Sequence, residues 1–274
     1  MTMAIIAICR GTRSGGDALA QCLAKQLQYP TLGREVVQTA ATDMGVPPED
    51  LGEMMEGKPG IFGRVSVLRK VYVGAVRAAL ADAAAEGALV YHGLAGGLLL
   101  RGAPGVLCIR LIAPLEMRVQ ALRESHGMDQ AEAESYIRDV DDSRARWVKT
   151  LYGEDIHDPT LYDMVPNLAT FTISEVCEMV TAAASRPEFE ISGDRLADLK
   201  DFRIGCRVRL ALLEDIGTQS LDLDVESRRG TVEVFGNAPM LNTGAVGDRI
   251  TEIARSVPGV DQVRLRIEWF DPYP

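Results

Sequence analysis

The chain has 274 residues, of which 47% are hydrophobic and 25% are charged, and its formal net charge is -10. This composition is that of a globular protein with apolar material for one large or two unequal domains, and it excludes disordered and collagen-like classes. The acidic balance disfavours nucleic acid and anionic membranes as partners, whereas a small phosphorylated ligand or a nucleotide needs only a local site.

The five cysteines are odd in number, widely spaced and mostly set in apolar runs. Because no C-x-x-C pair occurs, this pattern predicts buried thiols in a reducing compartment and no disulfide framework. The first residues lack the basic and apolar regions of an export signal, and no long uninterrupted apolar stretch follows. We therefore expect a cytoplasmic protein.

The chain opens with a predicted strand, a glycine loop and a helix. Residues 5–8 form a β-branched apolar run, and helical spacing returns through residues 19–27. The loop between them has the spacing Gly11-x-x-x-x-Gly16, which is the first part of the Walker A pattern. Such a loop turns backbone N–H groups inward beside a helix amino terminus, and this arrangement binds phosphate.

The end of this loop departs from the Walker A pattern, since Asp17 and Ala18 stand where Lys and Ser/Thr normally follow. A unit charge about 4 Å from a phosphate is worth on the order of 4 kcal/mol at an effective dielectric constant near 20, so Asp17 weakens nucleotide binding unless its side chain turns away. We predict that the cofactor-binding residues of the loop are Arg10, Gly11, Arg13, Ser14, Gly15, Gly16 and Asp17.

Strands and helices alternate through the next part of the chain. Periodicity predicts strands at residues 29–33, 88–92, 106–112 and 164–168. It predicts helices at residues 34–44, 49–55, 65–85, 115–125, 130–147 and 173–184, with a mobile loop at 56–63. This alternation indicates an α/β fold, a parallel sheet with helices on both faces that binds ligands beyond the carboxyl ends of its strands.

The pattern changes after residue 185. Alternating strands are predicted at residues 221–225, 231–236 and 262–269, with a helix at 245–256. These elements make a small α+β module, and we place the boundary near residues 189–193. The predicted domains are therefore residues 1–190 and 194–274.

Six segments of the first domain follow a familiar order. They are C-R-G-T-R-S-G-G-D-A-L-A at residues 9–20, G-R-E at 33–35, G-L-A at 93–95, A-P-L-E-M-R-V at 113–119, D-D-S-R-A-R-W at 141–147 and Y-D-M-V-P-N at 162–167. Together they resemble the cytidylate kinase-like group of P-loop nucleoside monophosphate kinases. The resemblance implies a P-loop kinase-like fold and phosphoryl transfer from ATP to a nucleoside monophosphate, with Mg²⁺.

The resemblance also implies which arginines neutralise phosphate charge, because Arg118, Arg144 and Arg146 match its motifs. The other interpretation of the charged stretch around residue 144 is a solvated helix with ion pairs, and residues two apart do not share a helix face. Leu94 replaces an arginine of the family pattern, and Arg13 replaces a loop glycine. A catalytically degenerate P-loop protein that regulates or binds a ligand therefore stays open beside the kinase.

The second domain resembles the BON domain in residues 225–236 and in the string V-P-G-V-D-Q-V at residues 257–263. That resemblance implies a binding or docking role, often one toward lipids. The alternative is a small packing or dimerisation domain, through which the chain would form a homo-oligomer. The sequence G-A-V-G at residues 244–247 also imitates the G-x-x-G of a KH module, but the neighbouring strands are acidic, which disfavours RNA binding.

The three histidines indicate little about catalysis or metal binding. His92 ends a predicted strand beside the second glycine turn, where it either contacts a ligand or is a hydrogen-bonded structural residue. His126 and His157 have no partner at metal-ligand spacing, so we predict no metal site.

Overall fold

The computed structural model of the protein describes residues 3–33, 35–36, 64–240 and 243–271. Of the predicted helix at 34–44 only residues 35 and 36 are described, and both are helical; the predicted helix at 49–55 and the predicted loop at 56–63 lie outside the described residues. The chain divides into two compact units, of which unit 1 is Met1–Pro59 with Glu86–Ser192 and unit 2 is Gly60–Ala85 with Gly193–Pro274.

The described elements lie mostly near their predicted positions, although the helix predicted at 130–147 extends to residue 152 and the strand predicted at 29–33 is limited to residues 31–32. In chain order they are β1 (Ile5–Arg10), α1 (Gly16–Leu27), β2 (Thr31–Leu32), α2 (Arg64–Ala84), β3 (Leu89–His92), α3 (Gly96–Leu99), β4 (Val106–Leu111), α4 (Leu115–His126), α5 (Gln130–Tyr152), a 3-10 helix (Pro159–Leu161), α6 (Ile173–Ala184), α7 (Asp194–Glu214), β5 (Asp222–Arg228), β6 (Thr231–Pro239), α8 (Thr243–Ser256) and β7 (Gln262–Phe270). Within the described part of the chain, no helix is both long enough and apolar enough to cross a membrane.

Unit 1 is built on a parallel sheet with the strand order β2-β3-β1-β4. Its central strand β1 is buried on both faces, and Ile5, Ile6 and Ile8 have no exposed surface. Burial on both faces explains the continuous apolar run that marks this strand in the sequence. The predicted α/β fold is confirmed, and the glycine loop leaves β1 at the carboxyl edge, between β3 and β4, where such sheets bind ligands.

The predicted strand at residues 164–168 is present as an interrupted edge beside β4. Two isolated parallel bridges join Ile109 to Met164 and Ile112 to Asn167. The N–H of Ile112 donates to the Pro166 carbonyl at 3.1 Å, but Pro166 has no N–H to return. The proline therefore limits the pairing of this edge segment with β4.

Unit 2 contains the predicted α+β module. Its sheet has the order β5-β6-β7, in which β5 is antiparallel and β7 parallel to β6. The inner face of the sheet forms an apolar core with helices α7 and α8, whose fully buried members include Val208, Leu212, Val232, Val234 and Ile250. The long helix α7 precedes β5 and belongs to the same module, although the sequence pattern predicts no element there.

Helix α2 packs against α7 and belongs to unit 2, although it precedes most of unit 1 in the sequence. Gly74 lets the two helices approach, since a Cβ there would lie 2.9 Å from Leu213 Cδ1. Arg207 of α7 forms an ion pair with Asp82 of α2. The buried contacts between the helices are made by small side chains, namely Ala78, Ala81 and Cys206.

A disulfide joins Cys22 of α1 to Cys177 of α6, with a Cα–Cα distance of 6.2 Å. The prediction of five thiols is therefore wrong for this pair, because the packing of α1 on α6 brings together residues that are 155 positions apart. Cys9, Cys108 and Cys206 are free. Burial raises the pKa of Cys108 to about 12 and that of Cys206 to about 11, so both thiols are protonated at neutral pH.

We expect three titratable thiols after unfolding without a reductant and five after reduction, measured with a thiol-specific chromophore. Cys177→Ser should expose the Cys22 thiol and lower the stability of unit 1 by on the order of 4–5 kcal/mol, because the bond closes a long loop. Cys206→Ser is the matched control, since it removes a free thiol and leaves the disulfide intact. Five thiols without reduction would contradict the bond.

Candidate functional site

The glycine loop that joins β1 to α1 bends through two left-handed residues, Arg13 with φ of 59° and Gly15 with φ of 82°. A Cβ at Gly15 would lie 3.1 Å from Leu168 Cδ1 and from Ile173 Cδ1, and one at Gly16 would collide with the Arg10 side chain. Gly15 therefore needs glycine for its backbone conformation, and Gly16 needs it for space. The close packing holds the loop backbone in one shape.

Ser14 ties the loop to the end of β4. Its side chain is buried, with 1% of the residue exposed, and its Oγ lies 3.0 Å from the Gly11 carbonyl and 3.1 Å from the Leu111 carbonyl. Its backbone N–H donates to the Gly11 carbonyl at 3.3 Å. Ser14 thus shapes the loop from within, through its hydroxyl and its amide.

The amino terminus of α1 follows directly. The N–H of Leu19 donates to the Gly15 carbonyl at 3.0 Å, so the amides of residues 16–18 precede the intrahelical hydrogen bonds. Such amides, together with the helix dipole, favour an anion at this end of the helix. The backbone therefore has the geometry that the sequence pattern predicts for phosphate binding.

Asp141 of α5 lies against the first part of the loop. Its Oδ1 accepts hydrogen bonds from the Thr12 N–H at 2.9 Å and from the Thr12 hydroxyl at 2.8 Å. Its Oδ2 accepts a charge-assisted hydrogen bond from Arg118 of α4. A carboxylate thus receives the hydrogen bonds that a phosphate oxygen would receive at this loop.

Two of the predicted catalytic arginines converge on the same point. Arg118 Nε donates to the Thr12 carbonyl at 2.7 Å, and a Cβ on Gly11 would lie 3.4 Å from its guanidinium carbon. Arg144 Nη1 donates to the Thr12 hydroxyl at 3.1 Å and lies 4.0 Å from Asp141 Oδ1. Residues three apart share a helix face, which brings Arg144 and Asp141 to the loop together.

The pKa of Asp141 is lowered. Burial of the half-buried carboxyl raises its pKa, but the hydrogen bonds from the Thr12 amide, from Arg118 and from the Thr12 hydroxyl outweigh burial. The carboxylate therefore stabilises the fold above the ordinary aspartate pKa of about 4, and this contribution is lost as the pH falls through the lowered value. At neutral pH the loop faces a negative charge.

Asp17 turns to the other side of the loop. Its Oδ1 lies 3.0 Å from Arg10 Nη2 and 3.0 Å from His92 Nδ1, and its side chain is 56% exposed. His92 is at the end of β3, where a Cβ on Gly33 would lie 2.7 Å from its ring. The carboxylate is thus directed toward a cation at β1 and an imidazole at β3.

The remaining predicted site residues lie elsewhere. Arg13 Nη2 contacts the His126 ring, 3.0 Å from Nε2, at the carboxyl end of α4. Arg146 is exposed and donates to Ser143 Oγ at 3.0 Å, so it does not join Arg144 at the loop. Leu94, which stands in the place of a family arginine, packs beside an apolar cluster that contains Cys9.

The structure also places residues that were not predicted as part of the site. Thr12 is the centre of the Asp141 network, but a threonine in a loop carries no signal of its own. Arg110 of β4 lies 5.6 Å from the Tyr162 ring centroid, and the Tyr162 hydroxyl donates to the Ile156 carbonyl at 2.9 Å. The tyrosine of the family's Y-D motif therefore supports the segment that follows α5.

In the described part of the chain, no group of three or more His, Cys, Asp or Glu side chains is placed to hold a metal ion. Asp141 and Asp17 are both engaged by cationic side chains.

The cytidylate kinase-like family model matches residues 5–170, which is more than half of the chain. A cytidylate kinase of Methanopyrus kandleri is 26% identical over 180 residues, covering 62% of this chain and 87% of that protein. A cytidylate kinase of Thermococcus kodakarensis is 26% identical over 193 residues, covering 70% of this chain and 92% of that protein.

Among solved structures, an uncharacterized protein from Eubacterium ventriosum aligns with a TM-score of 0.53 and 17% identity, covering 67% of this chain and 99% of that chain. At this identity the likeness shows a shared fold alone. The predicted resemblance to the kinase-like family is confirmed over the matched residues. The resemblance of residues 194–274 to the BON domain stays a prediction.

We expect Asp141→Asn to strengthen the binding of sulfate or inorganic phosphate. The substitution removes a negative charge from the loop and releases Arg118, and a unit charge roughly 6 Å away is worth about 1–3 kcal/mol, so the dissociation constant should fall about tenfold. Isothermal titration calorimetry measures the change. Asp142→Asn is the control because Asp142 is exposed and carries the same charge; equal effects of the two substitutions would refute the assignment.

Proposed function

Because the chain belongs to the cytidylate kinase-like family, we propose that it is a phosphotransferase that moves a phosphoryl group from ATP to a nucleoside monophosphate or another small acceptor. The observation that carries the proposal is the convergence of Arg118 and Arg144 on Thr12, beside the amino terminus of α1. The two archaeal relatives are named cytidylate kinases, which favours a nucleoside monophosphate as the acceptor.

Phosphoryl transfer depends on positioning and on the neutralisation of charge, and it needs no covalent nucleophile on the protein. The amides of residues 16–18 would hold phosphate oxygens, with the helix dipole behind them. Arg118 and Arg144 would neutralise the charge that develops during transfer, each within reach of the loop. ATP would supply the phosphoryl group, and the Mg²⁺ that accompanies it would neutralise part of the phosphate charge.

Access of a phosphate to this side of the loop requires that Asp141 give up its hydrogen bonds to Thr12 and Arg118. Asp141 lies on α5, the helix that carries the lid motif of the family resemblance. We infer that α5 moves, or that the Asp141 side chain rotates, when a nucleotide binds. The same guanidinium groups would then exchange a carboxylate for phosphate oxygens.

The carboxy-terminal residues 194–274 are proposed as a docking or dimerisation module, beside a nucleotide-binding part within residues 1–190. The order of α7, β5, β6, α8 and β7 agrees with the BON-like pattern and supports this proposal. The acidic residues on β5 support a partner other than nucleic acid.

We expect the protein to release ADP from Mg²⁺-ATP with at least one member of a panel of nucleoside monophosphates, in a coupled assay. Arg118→Ala and Arg144→Ala should each lower kcat about 10²-fold, because each removes a charge that faces the loop. Arg146→Ala is the matched control on α5, since its side chain contacts Ser143 and should leave kcat unchanged. The absence of turnover with every acceptor, or an equal loss in the control, would count against the proposal.

A second candidate is a ligand-binding or regulatory protein without catalysis. It is favoured by the carboxylates of Asp17 and Asp141, which lie on the two sides of the loop. Ala18 adds to this case, because it offers no hydroxyl for a metal at the place of the Walker Ser/Thr.

Asp17→Ala separates the two candidates. For the non-catalytic protein, we expect ATP to bind about tenfold more tightly in the variant, because a negative charge is removed, while neither protein shows turnover. Calorimetry and the ADP assay measure both quantities, with Asp142→Ala as the control for net charge. A wild-type kinase activity that Asp17→Ala leaves little changed would exclude this candidate.

A further inference from the structure

Strand β7 ends the three-stranded sheet of unit 2, and in the described part of the chain its strand partner is β6. The pairing is regular over all nine residues, Gln262–Phe270, and the strand contains no proline. Proteins usually protect such edges with short strands, bulges, prolines or covering segments, because a long regular edge pairs with other chains. The outer edge of β7 therefore has the form of a pairing surface.

The backbone direction shows which residues face outward. The Gln262 N–H donates to the Gly230 carbonyl at 3.1 Å, and the Phe270 carbonyl accepts from the Met240 N–H at 2.9 Å. In a strand the N–H and C=O of one residue point the same way and alternate along the chain. Even-numbered residues of β7 thus pair with β6, and the odd-numbered residues from 263 to 269 present N–H and C=O groups to the outside.

We propose that β7 pairs antiparallel with β7 of a second copy of this chain, about a two-fold axis at Ile267, to form a continuous six-stranded sheet. A two-fold axis makes the interface self-complementary, as in most homodimers. In this register Ile267 faces its own copy, residue 265 faces residue 269, and residue 266 faces residue 268. The odd-numbered residues then exchange the hydrogen bonds.

The side chains agree with this register on the outer face of the sheet. Arg266 of each copy lies opposite Glu268 of the other, which gives two ion pairs, and Arg264 lies opposite Phe270. All four are exposed, with the Arg266 side chain 72% exposed and Phe270 51% exposed. Opposite charges that face each other across strands stabilise pairing, and a guanidinium over an aromatic ring adds to it.

The inner face agrees as well. Leu265 belongs to the apolar side of β7 but remains 39% exposed. The register places it beside Trp269 of the second copy. The two-fold axis therefore gives two Leu265–Trp269 contacts, and each contact covers both side chains. The apolar layer beneath the sheet would continue across the axis.

The charges of the residues that lie opposite each other favour this register over the other antiparallel registers of β7. An axis at residue 266 opposes Arg266 to itself, an axis at 268 opposes Glu268 to itself, and an axis at 264 opposes Arg264 to itself. An axis at residue 265 opposes Arg264 to Arg266 twice. Like charges directly opposite destabilise a strand pair, so among registers that pair at least five residues, only the axis at Ile267 avoids them.

The test uses the full-length protein in sedimentation velocity over a range of concentrations. We expect a dimer for the wild type, and a dissociation constant raised at least about tenfold in Arg266→Glu and in Glu268→Arg, because each substitution turns both ion pairs into like-charge pairs. Two exposed residues of β5, at the other edge of the sheet, give the matched controls: Glu226→Arg has the charge change of Glu268→Arg, and Arg228→Glu has that of Arg266→Glu. Far-ultraviolet circular dichroism checks that each variant folds.

The decisive experiment mixes the two variants that are expected to dimerise less tightly. Arg266→Glu carries two acidic residues at the interface and Glu268→Arg carries two basic ones, so the mixture should form a heterodimer in which both cross-strand pairs are opposite in charge. The double variant R266E/E268R should dimerise again for the same reason. A monomeric wild type at all concentrations, or single variants that dimerise as tightly as the wild type, would overturn the proposal. A negative result in this test would not change the conclusion from the kinase assay, because that assay probes residues of unit 1.

Discussion

The contact between Asp141 and the glycine loop is the interaction on which the site of unit 1 depends. One carboxylate accepts hydrogen bonds from the Thr12 amide, the Thr12 hydroxyl and Arg118, and Arg144 closes the group. These are partly buried donors, and leaving them unpaired would cost free energy. The carboxylate therefore keeps the loop in a binding-competent shape, and it also competes with the phosphate that the shape fits. A ligand displaces Asp141 only if it accepts stronger hydrogen bonds from these donors. A phosphate that Arg118 and Arg144 both contact can do so.

Asp17 has a different relation to the same helix terminus. In the sequence it is a charge of the wrong sign at the place of the Walker lysine. In the structure its carboxylate lies between Arg10 and His92, so part of its charge is balanced by neighbours from β1 and β3. The two acidic residues thus lie on opposite sides of one loop, each with its own arginine. A phosphate at this loop would therefore meet a carboxylate on either side, one held by Arg118 and the other by Arg10.

Unit 2 is stabilised by an apolar core of its own. Its core is closed by α7 and α8 on the inner face of the sheet, and α2 packs on α7 through small side chains. Among the described residues of this unit, the outward N–H and C=O groups of β7 have no strand partner. In one chain, Arg266 and Glu268 are simply two exposed residues of that strand. In an antiparallel pair of two β7 strands, the arginine of each copy would face the glutamate of the other. The proposals for the two units therefore concern two kinds of surface, one for an anion and one for another chain.

The sequence by itself determined the class of the fold and most of the described elements in their order, although helix α7 was not predicted. Strand β1, helix α6 and the alternating strands of unit 2 end within a few residues of their predicted bounds, because the periodicity of side chains is a local property of strands and helices. The motif order also predicted the family and brought Arg118 and Arg144 into consideration. Only the tertiary structure decided the partners: Thr12 with Asp141, 129 residues apart, Asp17 with His92, and Cys22 with Cys177. It also placed α2 in unit 2 and turned Arg146 away from the loop. Such contacts follow from how elements pack, and packing joins residues whose separation leaves no periodic trace in a single sequence.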